Sequence, residues 1–281
     1  MKKQATKYKY FKTLFDSIKI TFKNPRLLIP YLIMFLSMAI FSSAIDWLGK
    51  SLETSILAGQ GIMPLAICSL TMMVLFLALS FILTGWAFSA LNQYMHTDKF
   101  SLKSAFKRSF SFAGRFFLVS LIAALVPAII YLLVYAASLA FSALGAPILS
   151  LILGAIFIVF VIINATLFVQ STPVLIVEDK GTIETIKRTI SFYLKKKLYS
   201  LNILLVALLF GCVIALPSIA YMLYVLFTQT PFLGVIRTAD YTTTQKLILC
   251  LLELPIYLGS AATVAYYCIS YKIKKATIKE K

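Results

Sequence analysis

Thr182–Lys197, TIETIKRTISFYLKKK, decides how this chain is read. It follows a turn-like Glu178-Asp179-Lys180-Gly181 and leads straight into an apolar segment from about Leu198 to Phe227. Its apolar and basic residues separate at helical spacing, the pattern of a short amphipathic helix lying in a membrane interface. Two further stretches share the layout. In Met1–Arg26, Phe11, Leu14, Phe15, Ile18 and Phe22 recur at helical spacing, with Lys12, Lys19 and Lys23 off that face. In Ser101–Arg115, SLKSAFKRSFSFAGR, Leu102, Phe106, Phe110 and Ala113 share one face and Ser101 stands where an N-cap is expected.

The segments between these stretches are long enough to cross a bilayer, which takes roughly 20 apolar residues as a helix. Six spans are expected, at about 27–48, 62–91, 116–144, 147–171, 198–227 and 247–271. Composition agrees: 60% of the 281 residues are hydrophobic and 13% are charged, about half the charged share of a soluble domain. The mean hydropathy is +0.91. A secretory signal peptide competes for the first span. The basic region before it is too long for that and the apolar run is of full spanning length, so it reads as an uncleaved span. Gly49–Gly61 reads as a short polar loop, Asn92–Phe100 as a polar connection, and Gly145-Ala146 as a turn so short that the third and fourth spans form a tight hairpin.

Charge orients the spans. The segments 1–26, 92–115, 172–197 and 272–281 carry 8, 5, 6 and 5 Lys/Arg, 24 of the 27 in the chain. The opposite loops hold only Lys50, Arg237 and Lys246. By the positive-inside rule both termini are cytoplasmic. The same rule explains the net charge of +17 without nucleic acid, since no separate basic binding module is present. Cys68, Cys212, Cys250 and Cys268 form no CxxC pair and all fall in spans, so they read as small apolar side chains and neither a metal site nor a redox motif is expected.

The second and third basic stretches align at an offset of 80 residues. Phe106-Lys107-Arg108-Ser109-Phe110-Ser111-Phe112 lies over Ile186-Lys187-Arg188-Thr189-Ile190-Ser191-Phe192, and Arg115 over Lys195. The expected fold is all-α: one polytopic membrane domain, 1–281, of three hairpins, each preceded by a cytoplasmic interfacial helix. The repeat units are 8–94, 101–173 and 182–272. They share one orientation, unlike the inverted repeats of many transporters. Convergence among juxtamembrane helices is the alternative.

Pro173-Val-Leu-Ile-Val-Glu178-Asp179-Lys180-Gly181, followed by Ile183, Ile186, Lys187-Arg188-Thr189 and Lys195–Lys197, resembles a motif of a loose group of six-span proteins. The group comprises the membrane domain attached to some bacterial glycerophosphodiester phosphodiesterases and free-standing relatives of uncharacterised function. The six-span layout covers nearly the whole chain, the motif about 25 residues. The resemblance implies the fold and a role at the membrane. It implies no catalysis, because no phosphodiesterase domain is present.

No catalytic constellation stands out, and neither an enzymatic activity nor a cofactor is expected. His96 is the single histidine and reads as a solvated loop residue beside Asp98. Glu178 and Asp179 read as turn acids ahead of a helix N-terminus. Glu253 falls about 10 Å into the sixth span at 1.5 Å per residue. It is either a functional intramembrane carboxylate or a protonated or hydrogen-bonded one near the outer interface, steadied by a bend at Pro255. Asn164 and Asn202 are candidates to pair across helices. Pro30, Pro127, Pro217 and Pro255 are placed to bend spans, and Ala207, Gly211 and Ala215 form a small-residue ridge. Trp47, Trp86 and the tyrosines fit interface anchoring.

Three functions remain open. The first is a non-enzymatic protein of the cell membrane (plasma, or inner if prokaryotic) whose basic interfacial helices engage anionic lipid through Lys107, Arg108, Arg115, Lys187, Arg188, Lys195, Lys196 and Lys197. The second is a small-molecule or proton-coupled transporter using Glu253 and the kinked helices. The third is an accessory or assembly subunit, with a protein partner or a second copy of itself.

Overall fold

The computed structural model describes residues 9–57, 63–97, 100–143, 147–229 and 243–279. They form α1 (Tyr10–Lys23), a single 3-10 turn (Pro25–Leu28), α2 (Ile29–Leu57), α3 (Met63–Thr97), α4 (Leu102–Ala143), α5 (Pro147–Glu178), α6 (Thr182–Lys195), α7 (Lys197–Gln229) and α8 (Thr243–Lys279). No strand occurs among the described residues. Among the described residues six helices are long and apolar enough to cross a membrane: Pro25–Ser51, Met63–Thr97, Leu102–Phe141, Leu151–Glu178, Lys197–Val225 and Leu247–Lys275. The chain is a multi-pass membrane protein.

Helix breaks follow local chemistry. Asn24 precedes Pro25, which disfavours helical torsions at Asn24. Asn24 sits at φ −118°, ψ 73°, and its side-chain amide donates to the Ile20 carbonyl at 3.0 Å. A second break, at Lys196 (φ −141°, ψ 42°), separates α6 from α7. No such break separates Ser101–Arg115 from the span that follows. Contrary to the separate interfacial helix expected at Ser101–Arg115, the second of the three, α4 runs unbroken from Leu102 to Ala143, with no proline before Pro127 to stop it. Helices also overrun two expected loops: α2 continues past Gly49 to Leu57, and α3 continues to Thr97, so His96 lies exposed in a last helical turn. The Gly145-Ala146 turn and the loop containing Arg237 lie outside the described residues.

Pro127, Pro173, Pro217 and Pro255 lie inside helices. Pro30 is instead the second residue of α2, where a missing N–H costs nothing. A helical proline orphans the carbonyl four residues earlier, which for Pro127 is Ala123. The Asn164 side-chain amide on α5 donates to that carbonyl at 3.0 Å. Asn202 donates to the Tyr10 hydroxyl at 3.3 Å, so the two asparagines do not pair; each already has its own partner. Asn164→Ala is expected to cost about 1–2 kcal/mol, and much less in a Pro127→Ala background, where the new N–H takes up the Ala123 carbonyl. A double-mutant cycle in detergent unfolding measures this, and additive losses would refute the pairing.

Contacts gather α1, the start of α2, the end of α3, the start of α4, the end of α5, α6, the start of α7 and the end of α8 at one end of the bundle. Asn24 meets Tyr94, the Tyr199 hydroxyl donates to the Ser270 carbonyl at 2.7 Å, and Lys272 donates to the Met95 carbonyl at 3.0 Å. The buried clusters lie toward this end, around Tyr266, Val174 and Ile203, and around Phe112, Leu175 and Ile176. Toward the other end α3, α4, α5 and α7 expose rows of Leu, Ile and Val, as lipid-facing helices do.

The three basic stretches each bury small residues spaced four apart. Thr13, Ser17 and Thr21 face inward on α1, Ala105, Ser109 and Ala113 on α4, and Thr185 and Thr189 on α6. Phe112 and Phe192, also 80 residues apart, are both buried. On α1 the aromatic residues Phe11, Phe15 and Phe22 are exposed, on a face distinct from the hydroxyl face that packs against the protein. At Gly85, α3 crosses α4 with the backbones in close contact. A Cβ on Gly85 would lie 2.3 Å from the Ser109 carbonyl oxygen and 2.7 Å from the Ala113 nitrogen. On the expected small-residue ridge Ala207 is buried, but Gly211 faces open space.

Candidate functional site

The chain has 10 acidic residues, and three of them organise the basic end. Glu178 closes α5 with its side chain 3% exposed. Its carboxylate accepts hydrogen bonds from the Arg188 guanidinium on α6, from the Tyr271 hydroxyl on α8, and from Lys275 Nζ at 2.7 Å. Asp179 takes φ 50°, a left-handed torsion that Asp tolerates better than most residues and that commonly ends a helix. Its carboxylate pairs with Arg108 at 2.6 Å and with Arg115 at 2.9 Å. Arg115 also donates to the Lys180 carbonyl at 2.9 Å. Both guanidiniums lie over the Phe112 ring, at 5.6 and 4.5 Å from its centroid.

Two residues thereby fasten α4, α6 and α8 to the end of α5. The cations lie where the C-terminal end of a helix dipole is negative. Asn92, buried on α3, donates to the Ile176 carbonyl, one of the four carbonyls a helix end leaves without an internal partner. Glu184 adds an exposed bridge to Arg188 at 2.7 Å. Its hydrogen bond, with the nearby Glu178 charge, pushes the Arg188 guanidinium above its ordinary value.

The eight cations expected to meet lipid fall into two groups. Arg108, Arg115 and Arg188 are held in the acidic turn. Lys107, Lys187, Lys195 and Lys197 are exposed and Lys196 half-buried, and none of the five has an acidic partner among the described residues. Glu253 is half-buried on α8. One residue before it, the Leu252 carbonyl accepts a hydrogen bond from Ser218 on α7 at 2.8 Å. No group of His, Cys, Asp and Glu able to hold a metal occurs among the described residues.

The sequence places Glu178 and Asp179 in a turn but does not show that Tyr271 and Lys275 are partners of Glu178 or that Arg108 and Arg115 are partners of Asp179. The available signal was two adjacent acids in a chain with 27 Lys/Arg. Such a pair on the basic side of the membrane has cations from several elements within reach. Comparison of the chain with protein-family models, with curated proteins and with solved structures finds no match.

Proposed function

We propose that this is a non-enzymatic protein of the cell membrane, built from three related units with both termini cytoplasmic, whose basic end engages anionic lipid. The observation that carries this reading is the concentration of 24 of the 27 Lys/Arg in four segments, with five of the candidate lysines not engaged by an acid among the described residues. The four-residue spacing of buried small residues in α1, α4 and α6 supports the units. The likeness of the Pro173–Lys197 stretch to six-span membrane domains belongs to the same proposal. The arginines serve the acidic turn, and the lysines meet head groups.

Each lysine near an anionic surface contributes about 1 kcal/mol, screened by salt. In nanodiscs of equal phosphatidylglycerol and phosphatidylcholine the protein is expected to enrich the anionic lipid around itself. Changing Lys187, Lys195, Lys196 and Lys197 together to Gln should lower that enrichment. Arg188 is kept, since removing it would unfasten Glu178. Enrichment unchanged by the four substitutions would remove lipid recognition by this stretch. Cysteine in place of Lys50, in a background lacking the native cysteines, tests orientation: labelling from the cytoplasmic side would invert it.

A further inference from the structure

We infer that the groove between α3 and α4 holds one acyl chain of an anionic phospholipid whose head group is bound by Lys103 and Lys107. This rests on the lipid reading above and deepens it by assigning a site.

The groove has a volume of ≈ 460 Å³, within the roughly 300–1,000 Å³ typical of ligand sites. Its lining residues are all apolar and include Val74, Leu77 and Phe81 from α3 and Phe110, Gly114 and Phe117 from α4. Phe81 meets Phe117 edge to face at 5.1 Å. Gly114 keeps the wall open: a Cβ there would meet no atom within 4 Å. Phe110 and Phe117 are 62% and 44% exposed, so the protein itself leaves these rings uncovered.

What points to a phospholipid is the order of residues along α4. At 3.6 residues per turn, Lys103, Lys107, Phe110, Gly114 and Phe117 follow one stripe. Arg108 and Arg115 lie on the opposite flank, where Asp179 holds them. The stripe is cationic at the basic end of the bundle and apolar beyond it. Lys107 lies about 4.5 Å and Lys103 about 10 Å above Phe110 along the axis, at 1.5 Å per residue. The interfacial layer of one leaflet is about 5–8 Å thick, so the two ammonium groups span the depth of a lipid phosphate, helped by their flexible stems. Both lysines are exposed and have no acidic partner among the described residues. Apolar walls under paired cations complement an anionic amphiphile.

The test is native mass spectrometry of the full chain released from nanodiscs of equal phosphatidylglycerol and phosphatidylcholine. Wild type is expected to retain one phosphatidylglycerol. Gly114→Leu fills the groove from a position with free space, so it should fold and retain one lipid fewer. Lys103→Gln with Lys107→Gln should keep the lipid but lower its preference for phosphatidylglycerol about 25-fold, about fivefold for each lysine. The Lys187, Lys195, Lys196 and Lys197 set should leave this single lipid in place. An unchanged lipid count in Gly114→Leu overturns the groove. A count that falls while the lysine variant keeps its preference overturns the head-group assignment. A dimer that Gly114→Leu dissociates makes a second copy the occupant and also overturns it. If wild type enriches phosphatidylglycerol around itself but retains none on release, this site fails and the broader reading stands. No enrichment at all sinks the broader reading first.

Discussion

Gly85→Ala is expected to destabilise the protein by about 2–3 kcal/mol, and Gly85→Leu to prevent α3 and α4 from docking. An added Cβ would sit 2.3 Å from the Ser109 carbonyl oxygen and 2.7 Å from the Ala113 nitrogen. These are backbone atoms of a continuous helix and cannot rotate away as a side-chain tip can. The helices must separate, and overpacking of this kind typically costs about 1–3 kcal/mol. Separation would also uncover Ala90, Ala105 and Phe112, each fully buried, and break the Trp86 hydrogen bond to the Leu102 carbonyl at 3.1 Å. Gly114→Ala and Gly211→Ala are the controls. Both added methyls meet open space, so each should be neutral or stabilising by up to about 1 kcal/mol from helix propensity. Unfolding in mixed micelles followed by circular dichroism measures all three. A Gly85→Ala protein as stable as wild type would show that α3 and α4 do not cross so closely.

Glu178→Ala should cost about 2–3 kcal/mol, more than any other single carboxylate at this end. Its side chain is 3% exposed and answers three donors from two other helices. Hydrogen bonds to charged groups contribute about 1.5–3 kcal/mol, and removing one partner strands the others. The lower part of the range applies because Lys275 keeps 35% of its side-chain surface exposed and water recovers part of its solvation. Glu184→Ala should do little, since that carboxylate is 47% exposed and exposed pairs contribute little and are screened by salt. In a cycle with Lys275→Ala the two losses should be less than additive. A Glu178→Ala loss no larger than that of Glu184→Ala would mean that the turn does not fasten the bundle.

Much of the architecture was legible in the sequence because the properties that set it are local. Whether a segment crosses a bilayer depends on its own summed hydropathy, and all six expected spans correspond to helices apolar enough to cross. Two misjudged boundaries fall where polar residues continue a helix, in α2 beyond Gly49 and in α3 through His96, and a third falls past 171, where α5 runs on through Pro173 to Glu178. Composition favours a loop there, but hydrogen bonding between turns carries the helix on. The unbroken α4 arises the same way. Its first turns resemble Thr182–Lys195 in pattern, yet nothing equivalent to Asn24-Pro25 or Lys196 interrupts them.

The candidate sites were legible only in part. Arg108 and Lys107 are neighbours of like charge, and no pattern in the sequence separates them. They leave α4 about 100° apart, so one meets Asp179, 71 residues away, and the other faces outward beside the groove. Glu178 finds Lys275, 97 residues away, and Asn164 finds the carbonyl orphaned by Pro127, 41 residues before it. By itself the sequence determined how many spans there are and which segments carry the charge, because apolar transfer and charge excess are sums over adjacent residues. Only the tertiary structure decided which cations are occupied, which glycine is indispensable and which carbonyls need a donor. Those outcomes depend on distances of a few ångströms between helices far apart in the chain.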